Sequence, residues 1–400
     1  MVPWTHQGGS RDGQRDLAAL ALVRGLVAAA AATAEAATLR KGSEADIMNW
    51  KHAIPTSVLS AGLIGVTAAM STSVASPDRI GGSDRYESSV LISQEAFPDG
   101  ADTVFLGSGE DFPDALAGGA AGGTLSAPVL LVTATSIPDV VTAELARLDP
   151  SLIVILGGET AVSAEVAEEA LEYGKAVERL GGENRYETAA LIAEWAFEPG
   201  VPVAYLASGS DYPDALAGAA AAGFTNGPVL LTKTEALSDE AAEQLEALLP
   251  EQIIVLGGTA AVAEAVATEA LDYGNVSRLA GDDRYATSAA ISAGTFSSAE
   301  VVYIATGTSY PDALSGAPLA AANSAPILLV TRDSVSAEVC AEVNRLEPGA
   351  VVALGGPSAV SDTVLHHVAA GCPAIVVPIP PKPGPTYTID PPPDPMAEEG

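Results

Sequence analysis

Six arginines and three aspartates recur at fixed places in this chain, and they have the most chemistry to offer. Arg79-Ile80-Gly81-Gly82-Ser83-Asp84-Arg85-Tyr86 returns as Arg179-Leu180-Gly181-Gly182-Glu183-Asn184-Arg185-Tyr186, and again as Arg278-Leu279-Ala280-Gly281-Asp282-Asp283-Arg284-Tyr285. Arg85, Arg185 and Arg284 are spaced by 100 and 99 residues. A guanidinium is a rigid fork of donors that matches the paired oxygens of a phosphate or carboxylate. A second motif supplies the acids. Gly107-Ser108-Gly109-Glu110-Asp111-Phe112-Pro113-Asp114-Ala115-Leu116 has counterparts at 207–216 and 305–314, which place Asp214 and Asp312. Two readings are open for each arginine. It can bind an anionic ligand, or it can pair with its own copy's Asp114, Asp214 or Asp312 and fix one helix against a turn.

Other chemistries are poorly served. A strand, a small-residue turn and a helix start form a ready anion site. Here Asp111 and Asp114 occupy that start, satisfy the helix dipole themselves and would repel phosphate. The turn also lacks a full G-x-G-x-x-G and a Walker lysine, which argues against a nucleotide cradle. His366 and His367 have no counterpart in the other copies, so no catalytic triad or repeated metal-ligand set can be assembled. Carboxylate pairs are too abundant to indicate glycosidase chemistry. We therefore expect no catalytic residues and no cofactor, with Ca²⁺ or Mg²⁺ bridging through surface carboxylates as the one metal role to consider.

These residues need elements to hold them. Short apolar runs (103–106, 127–133, 152–156 and 176–180 in the first copy) alternate with helical stretches at 86–96, 138–148 and 161–173, and Pro113 suits a first helical turn. Continuous apolar strands between helices indicate a parallel sheet covered on both faces. Copies two and three repeat the order at 203–206, 228–232 and 253–256, then at 301–304, 326–331 and 351–354. The fold class is thus α/β: three tandem open parallel-sheet modules of the Rossmann/flavodoxin-like kind, about 100 residues each. With no linker between copies, packing together is expected, either as a pseudo-threefold trimer or as a linear array.

Charge limits the partners. After residue 75 the chain holds 12 basic and 46 acidic residues, a net of −34. Such a field repels nucleic acid and anionic membrane surfaces. Nine arginines remain in that stretch, and six of them are the repeated pairs. Cations placed so selectively imply specific partners.

The ends differ from the repeats. Residues 48–75 read as a signal peptide: a basic start at 48–52, an apolar stretch from Ile54 to Met70, and a Ser73-Val74-Ala75 cleavage site. Residues 1–47 fit an extension ahead of a true start at Met48. Repeats are assigned to 76–177, 178–276 and 277–377, and 378–400 to a proline-rich disordered tail. Export would permit a disulfide between Cys340 and Cys372, both in copy three.

The ordered set R-[IL]-x-G-x-[DN]-R-Y, [FY]-P-D-A-L, [AG]-P-[VI]-L-L and L-G-G occurs in all three copies. It resembles the cell wall binding repeat type 2 family over residues 79 to about 377. The resemblance implies a secreted, non-catalytic surface protein of a Gram-positive bacterium, held non-covalently on an anionic wall polymer. Arg79, Arg85, Asp114, Arg179, Arg185, Asp214, Arg278, Arg284 and Asp312 are then the candidate ligand or ion-pair residues. The competing readings are an exported peptidoglycan hydrolase and a self-assembling surface-coat protein.

Overall fold

The computed structural model describes residues 75–110 and 115–373. The proposed extension, signal peptide core, proline-rich tail and Asp114 lie outside them. Among the described residues, no helix is long and apolar enough to cross a membrane.

The described chain folds into three four-stranded parallel sheets. The first sheet uses β2 (Thr103–Ser108), β3 (Val129–Val132), β4 (Leu152–Leu156) and β5 (Ala176–Leu180), in the order β3-β2-β4-β5. Their residues are mostly Val, Ile and Leu, and those of β2, β3 and β4 are almost entirely buried. Four helices accompany this sheet: α1 (Arg85–Ala96), α2 (Gly118–Leu125), α3 (Asp139–Leu148) and α4 (Ala164–Ala170). The second sheet repeats the plan with β6 (Val203–Ser208), β7 (Val229–Thr232), β8 (Gln252–Leu256) and β9 (Asn275–Leu279). Its helices are α5 (Arg185–Ala196), α6 (Pro213–Thr225), α7 (Asp239–Leu248) and α8 (Glu264–Ala270). The third uses β10 (Val301–Thr306), β11 (Ile327–Val330) and β12 (Ala350–Leu354) with α9 (Arg284–Thr295), α10 (Pro311–Ala322), α11 (Ala337–Leu346) and α12 (Asp362–Ala369).

The fourth strand of the third sheet comes from the other end of the repeats. β1 (Ser76–Ile80) lies parallel to β12, with Ser76 opposite Ala350 and Ile80 opposite Leu354. The sequence places residues 76–80 at the head of copy one, whereas in space they complete copy three. The physical reason is the edge of β12, whose backbone groups need a partner, and β1 supplies it. The same offset holds inside the chain. β5 and β9 finish one module, and the helices that follow them pack on the next.

Small residues explain how the modules meet. Helices α2, α6 and α10 each contact the other two. A Cβ added at Gly123 would stand 2.7 Å from the Ala321 Cβ and 2.9 Å from the Gly223 Cα. Side chains there would force the helices apart, which accounts for the Ala- and Gly-rich sequence of these three helices.

Candidate functional site

The first motif is largely a helix-start device. Asp84, Asn184 and Asp283 are the N-caps of α1, α5 and α9, and each side chain accepts from the next two backbone amides but one, as Asp84 does from Tyr86 and Glu87. Glu87 closes the box by accepting from the Ser83 amide at 2.6 Å, and Glu187 does the same for Glu183. Gly82 must lack a side chain, because a Cβ would sit 2.5 Å from that of Glu87. The signal for this cap lies in the sequence, as an Asp or Asn followed three residues later by Glu in copies one and two.

Arg79, Arg179 and Arg278 are held inside the sheets. Each lies on a fourth strand and donates to a carbonyl of the Leu-Gly-Gly turn beside it: Arg79 to Gly355 O at 2.7 Å, Arg179 to Gly157 O at 2.8 Å, Arg278 to Gly257 O at 2.8 Å. Arg79 also reaches Val360 O and pairs with Asp362 at 2.8 Å. With side chains 17% and 20% exposed, Arg79 and Arg278 are committed to the turn more than to solvent.

The aspartates meet the same turn from the other side. Gly257 and Gly355 have φ of 90° and 92°, a left-handed conformation that favours glycine. A Cβ on Gly257 would lie 2.1 Å from the Asp214 carboxylate, and one on Gly355 would lie 2.2 Å from that of Asp312. The Pro-Asp and Gly-Gly motifs are therefore two halves of one contact in the second and third modules, spanning adjacent strands at the switch point of those sheets. In open α/β sheets that crevice is where ligands bind. Burial pushes Asp214 up to about 6, helped by Asp211 and opposed by Arg284. Burial likewise raises Asp312, opposed by a hydrogen bond from Ser88 and by Arg85.

Arg85, Arg185 and Arg284 mark the seams between modules. Each sits at the first position of its helix and donates to a carbonyl at the end of its own copy's first strand: Arg85 to Gly109, Arg185 to Gly209, Arg284 to Gly307. The carboxylates that Arg85 and Arg284 face belong to the preceding module. Arg85 acts on Asp312, and Arg284 acts on Asp214 and meets Asp211 at 3.4 Å. The pairing of arginine with its own copy's aspartate is thus corrected for Arg284, which acts on Asp214 while Asp312 meets Arg85; Asp114, the counterpart for Arg85, lies outside the described residues. The cause is the strand offset, which carries the arginine-bearing helix start onto the neighbouring sheet. At the seam between modules two and three, Arg284 lies 6.0 Å from the ring centre of Tyr212, which makes an edge contact with Tyr310 at 6.1 Å. Arg85 is exposed, and Arg185 and Arg284 are half-buried. A half-buried guanidinium beside an aromatic ring, as at Arg284 and Tyr212, can receive an oxyanion and an adjoining apolar face. Among the described residues, nothing in this constellation aligns a nucleophile with a base.

Cys340 on α11 and Cys372 after α12 are joined as a disulfide, with Cα atoms 5.6 Å apart. His366 Nδ1 lies 2.7 Å from Asp362 O.

The sequence profile described as cell wall binding domain 2 matches residues 79–167, 179–267 and 278–365. The amidase enhancer of Bacillus subtilis strain 168 is 31% identical over 298 residues, 74% of this chain and 40% of the enhancer. N-acetylmuramoyl-L-alanine amidase LytC of the same strain is 26% identical over 313 residues, 78% of this chain and 62% of LytC. The chain therefore spans less than two thirds of either relative. Cwp6 from Clostridium difficile shares the fold with a TM-score of 0.70 and 26% identity, over 75% of this chain and 48% of Cwp6. Cwp8 from the same organism gives 0.68 and 28%, over 74% of this chain and 51% of Cwp8. Three matched repeats, each closing an Arg–Gly-Gly turn at the end of a parallel sheet, make this chain a member of the cell wall binding domain 2 family.

Proposed function

We propose that this protein is exported and attaches non-covalently, without catalysis, to an anionic polymer of the cell wall. The three modules form a pseudo-threefold unit around α2, α6 and α10, and its three seams are the attachment surfaces. The observation that carries this reading is the placement of Arg85, Arg185 and Arg284. Each is the cation of its seam, is oriented by a backbone carbonyl, and keeps an exposed or half-buried edge. Repeated seams suit a repeating ligand, because each further contact is intramolecular.

The net charge of −34 after residue 75 opposes an anionic ligand at long range. That repulsion is screened within about 8 Å at physiological salt, so contact falls to the local arginines and to Ca²⁺ or Mg²⁺ bridging. The test is sedimentation with isolated Gram-positive walls, before and after the anionic polymers are stripped. Binding should fall on stripping, rise with added divalent ions, and drop when Arg85, Arg185 and Arg284 are replaced together by Ala in a protein of unchanged circular dichroism. Equal binding to stripped and intact walls would overturn the reading.

One observation favours a second reading. Asp214, raised to about 6 beside Asp211, has the form of an acid–carboxylate pair. Copy one repeats the pair as Asp111 and Asp114, whereas Ser309 stands where Asp211 would recur in copy three, so the pair is not common to all three copies. Turnover of purified peptidoglycan that is lost in Asp214→Asn would establish a hydrolase instead.

A further inference from the structure

The third module ends differently from the first two. In those, α4 and α8 run into β5 and β9, which anchor the helix end to its own sheet. In the third, β1 occupies that place, and among the described residues no following strand ties α12 down. Here the repeats carry both cysteines and a histidine. Cys340 lies on α11, His367 in the last turn of α12 and Cys372 just beyond it. Their two Sγ atoms and a His367 ring nitrogen all fall within 4.8 Å of one another. All three residues are half-buried, so solvent reaches them.

The surrounding backbone fixes this group. Gly371, at φ 75°, reverses the chain after α12, and the Cys372 amide donates to His367 O at 2.9 Å. The Cys340 amide bonds to Ser336 O at 3.1 Å. His367 also replaces a residue with a different duty. In copies one and two the matching residues are Glu169 and Glu269, which accept from the Ile137 and Leu237 amides. The third copy has exchanged that capping carboxylate for an imidazole beside two sulfurs.

We propose that Cys340, His367 and Cys372 form a redox-gated site for a thiophilic cation, with Zn²⁺ the representative case. A disulfide sulfur is not a metal ligand; a thiolate is. A dithiol reductant supplies two electrons and two protons, leaving as its own disulfide while Cys340 and Cys372 become thiols. Zn²⁺ then displaces two protons, binding both thiolates and the neutral imidazole, with water at the fourth position. Ligand atoms around tetrahedral zinc lie roughly 3.5–3.8 Å apart, from bond lengths of about 2.0–2.3 Å. The sulfurs need only separate from bonding distance to reach that spacing. Either state ties α12 to α11, by a covalent bond when oxidised and by the ion when reduced.

The test uses the full chain, reduced with a non-thiol phosphine under anaerobic conditions and titrated with Co²⁺ as a spectroscopic substitute. One Co²⁺ per chain should bind, with thiolate-to-metal charge-transfer and tetrahedral d–d bands that Zn²⁺ abolishes. The oxidised chain and the Cys340→Ser/Cys372→Ser variant should show no bands. His367→Ala should bind at least tenfold more weakly, while His366→Ala binds like the parent. Zn²⁺ should also raise the thermal midpoint of the reduced chain above its value in a chelator. Absence of the bands in the reduced parent, or a His367→Ala titration that matches it, overturns the proposal. So does loss of binding in His366→Ala alone.

Discussion

Replacing Asp214 by Asn isolates the strain stored at the Pro-Asp/Gly-Gly contact. The carboxyl titrates near 3.8 in the unfolded chain and at about 6 in the folded one, chiefly because burial disfavours its charge. The folded state therefore holds its proton more tightly. Below pH 3.8 both states are protonated and the group contributes nothing. As pH rises, the unfolded state ionises first, and stability is lost until the folded carboxyl also ionises near pH 6. A shift of about 2.2 units at 1.36 kcal/mol each gives a penalty of about 3 kcal/mol above pH 6, and about 1.6 kcal/mol at pH 5. Asparagine keeps the shape and cannot ionise. Asp214→Asn should match the parent at pH 3.5, exceed it modestly at pH 5, and exceed it by about 3 kcal/mol at pH 8. Urea unfolding followed by far-ultraviolet circular dichroism, at constant ionic strength, measures this difference. A variant equal to or weaker than the parent at pH 8 would show that attraction to Arg284 outweighs burial, and the reasoning would fail. In the proposed reading the aspartate is retained because the seam needs its charge, a trade of stability for binding.

Further expectations concern the frame around the site. Deleting residues 75–80 bares the β12 edge, so the variant should melt earlier and self-associate with rising concentration by light scattering. Arg345→Met should cost roughly 2–3 kcal/mol, because Glu342 is buried and its two oxygens depend on Arg345 and Ser292. The matched change Ala247→Met in module two should leave the denaturation midpoint nearly unmoved, since Gln244 there carries no charge. Gly223→Val, at the meeting of α2, α6 and α10, should lose at least about 1–3 kcal/mol by overpacking, again read from urea midpoints.

Much of the fold was legible from local pattern. Runs such as Leu152–Leu156 are buried throughout and became central strands at their expected bounds. Pro213 and Pro311 open α6 and α10, as proline at a first turn should. The helix expected over 161–173 is shorter, Ala164–Ala170, because Ser163 is extended and Leu171 begins a turn. The strand at 76–80 was not anticipated, as its residues are largely exposed or half-buried and lack an apolar run. Its place comes from pairing with β12, some 274 residues away.

The candidate site divides in the same way. Residue type and repetition alone singled out the two arginines, the aspartate and the Gly-Gly turn of each copy, and excluded a phosphate cradle. Those are properties of donors, charges and backbone freedom, which a sequence carries with it. Tertiary structure decided which groups face each other. It set Arg79, Arg179 and Arg278 on turn carbonyls, and it turned Arg85 and Arg284 towards the aspartate of the preceding module. It also brought His367 to Cys340 and Cys372. The chain spells out three equal copies, while strand pairing joins each copy to its neighbour, because a sheet edge is satisfied by whichever strand reaches it and not by the one nearest in sequence.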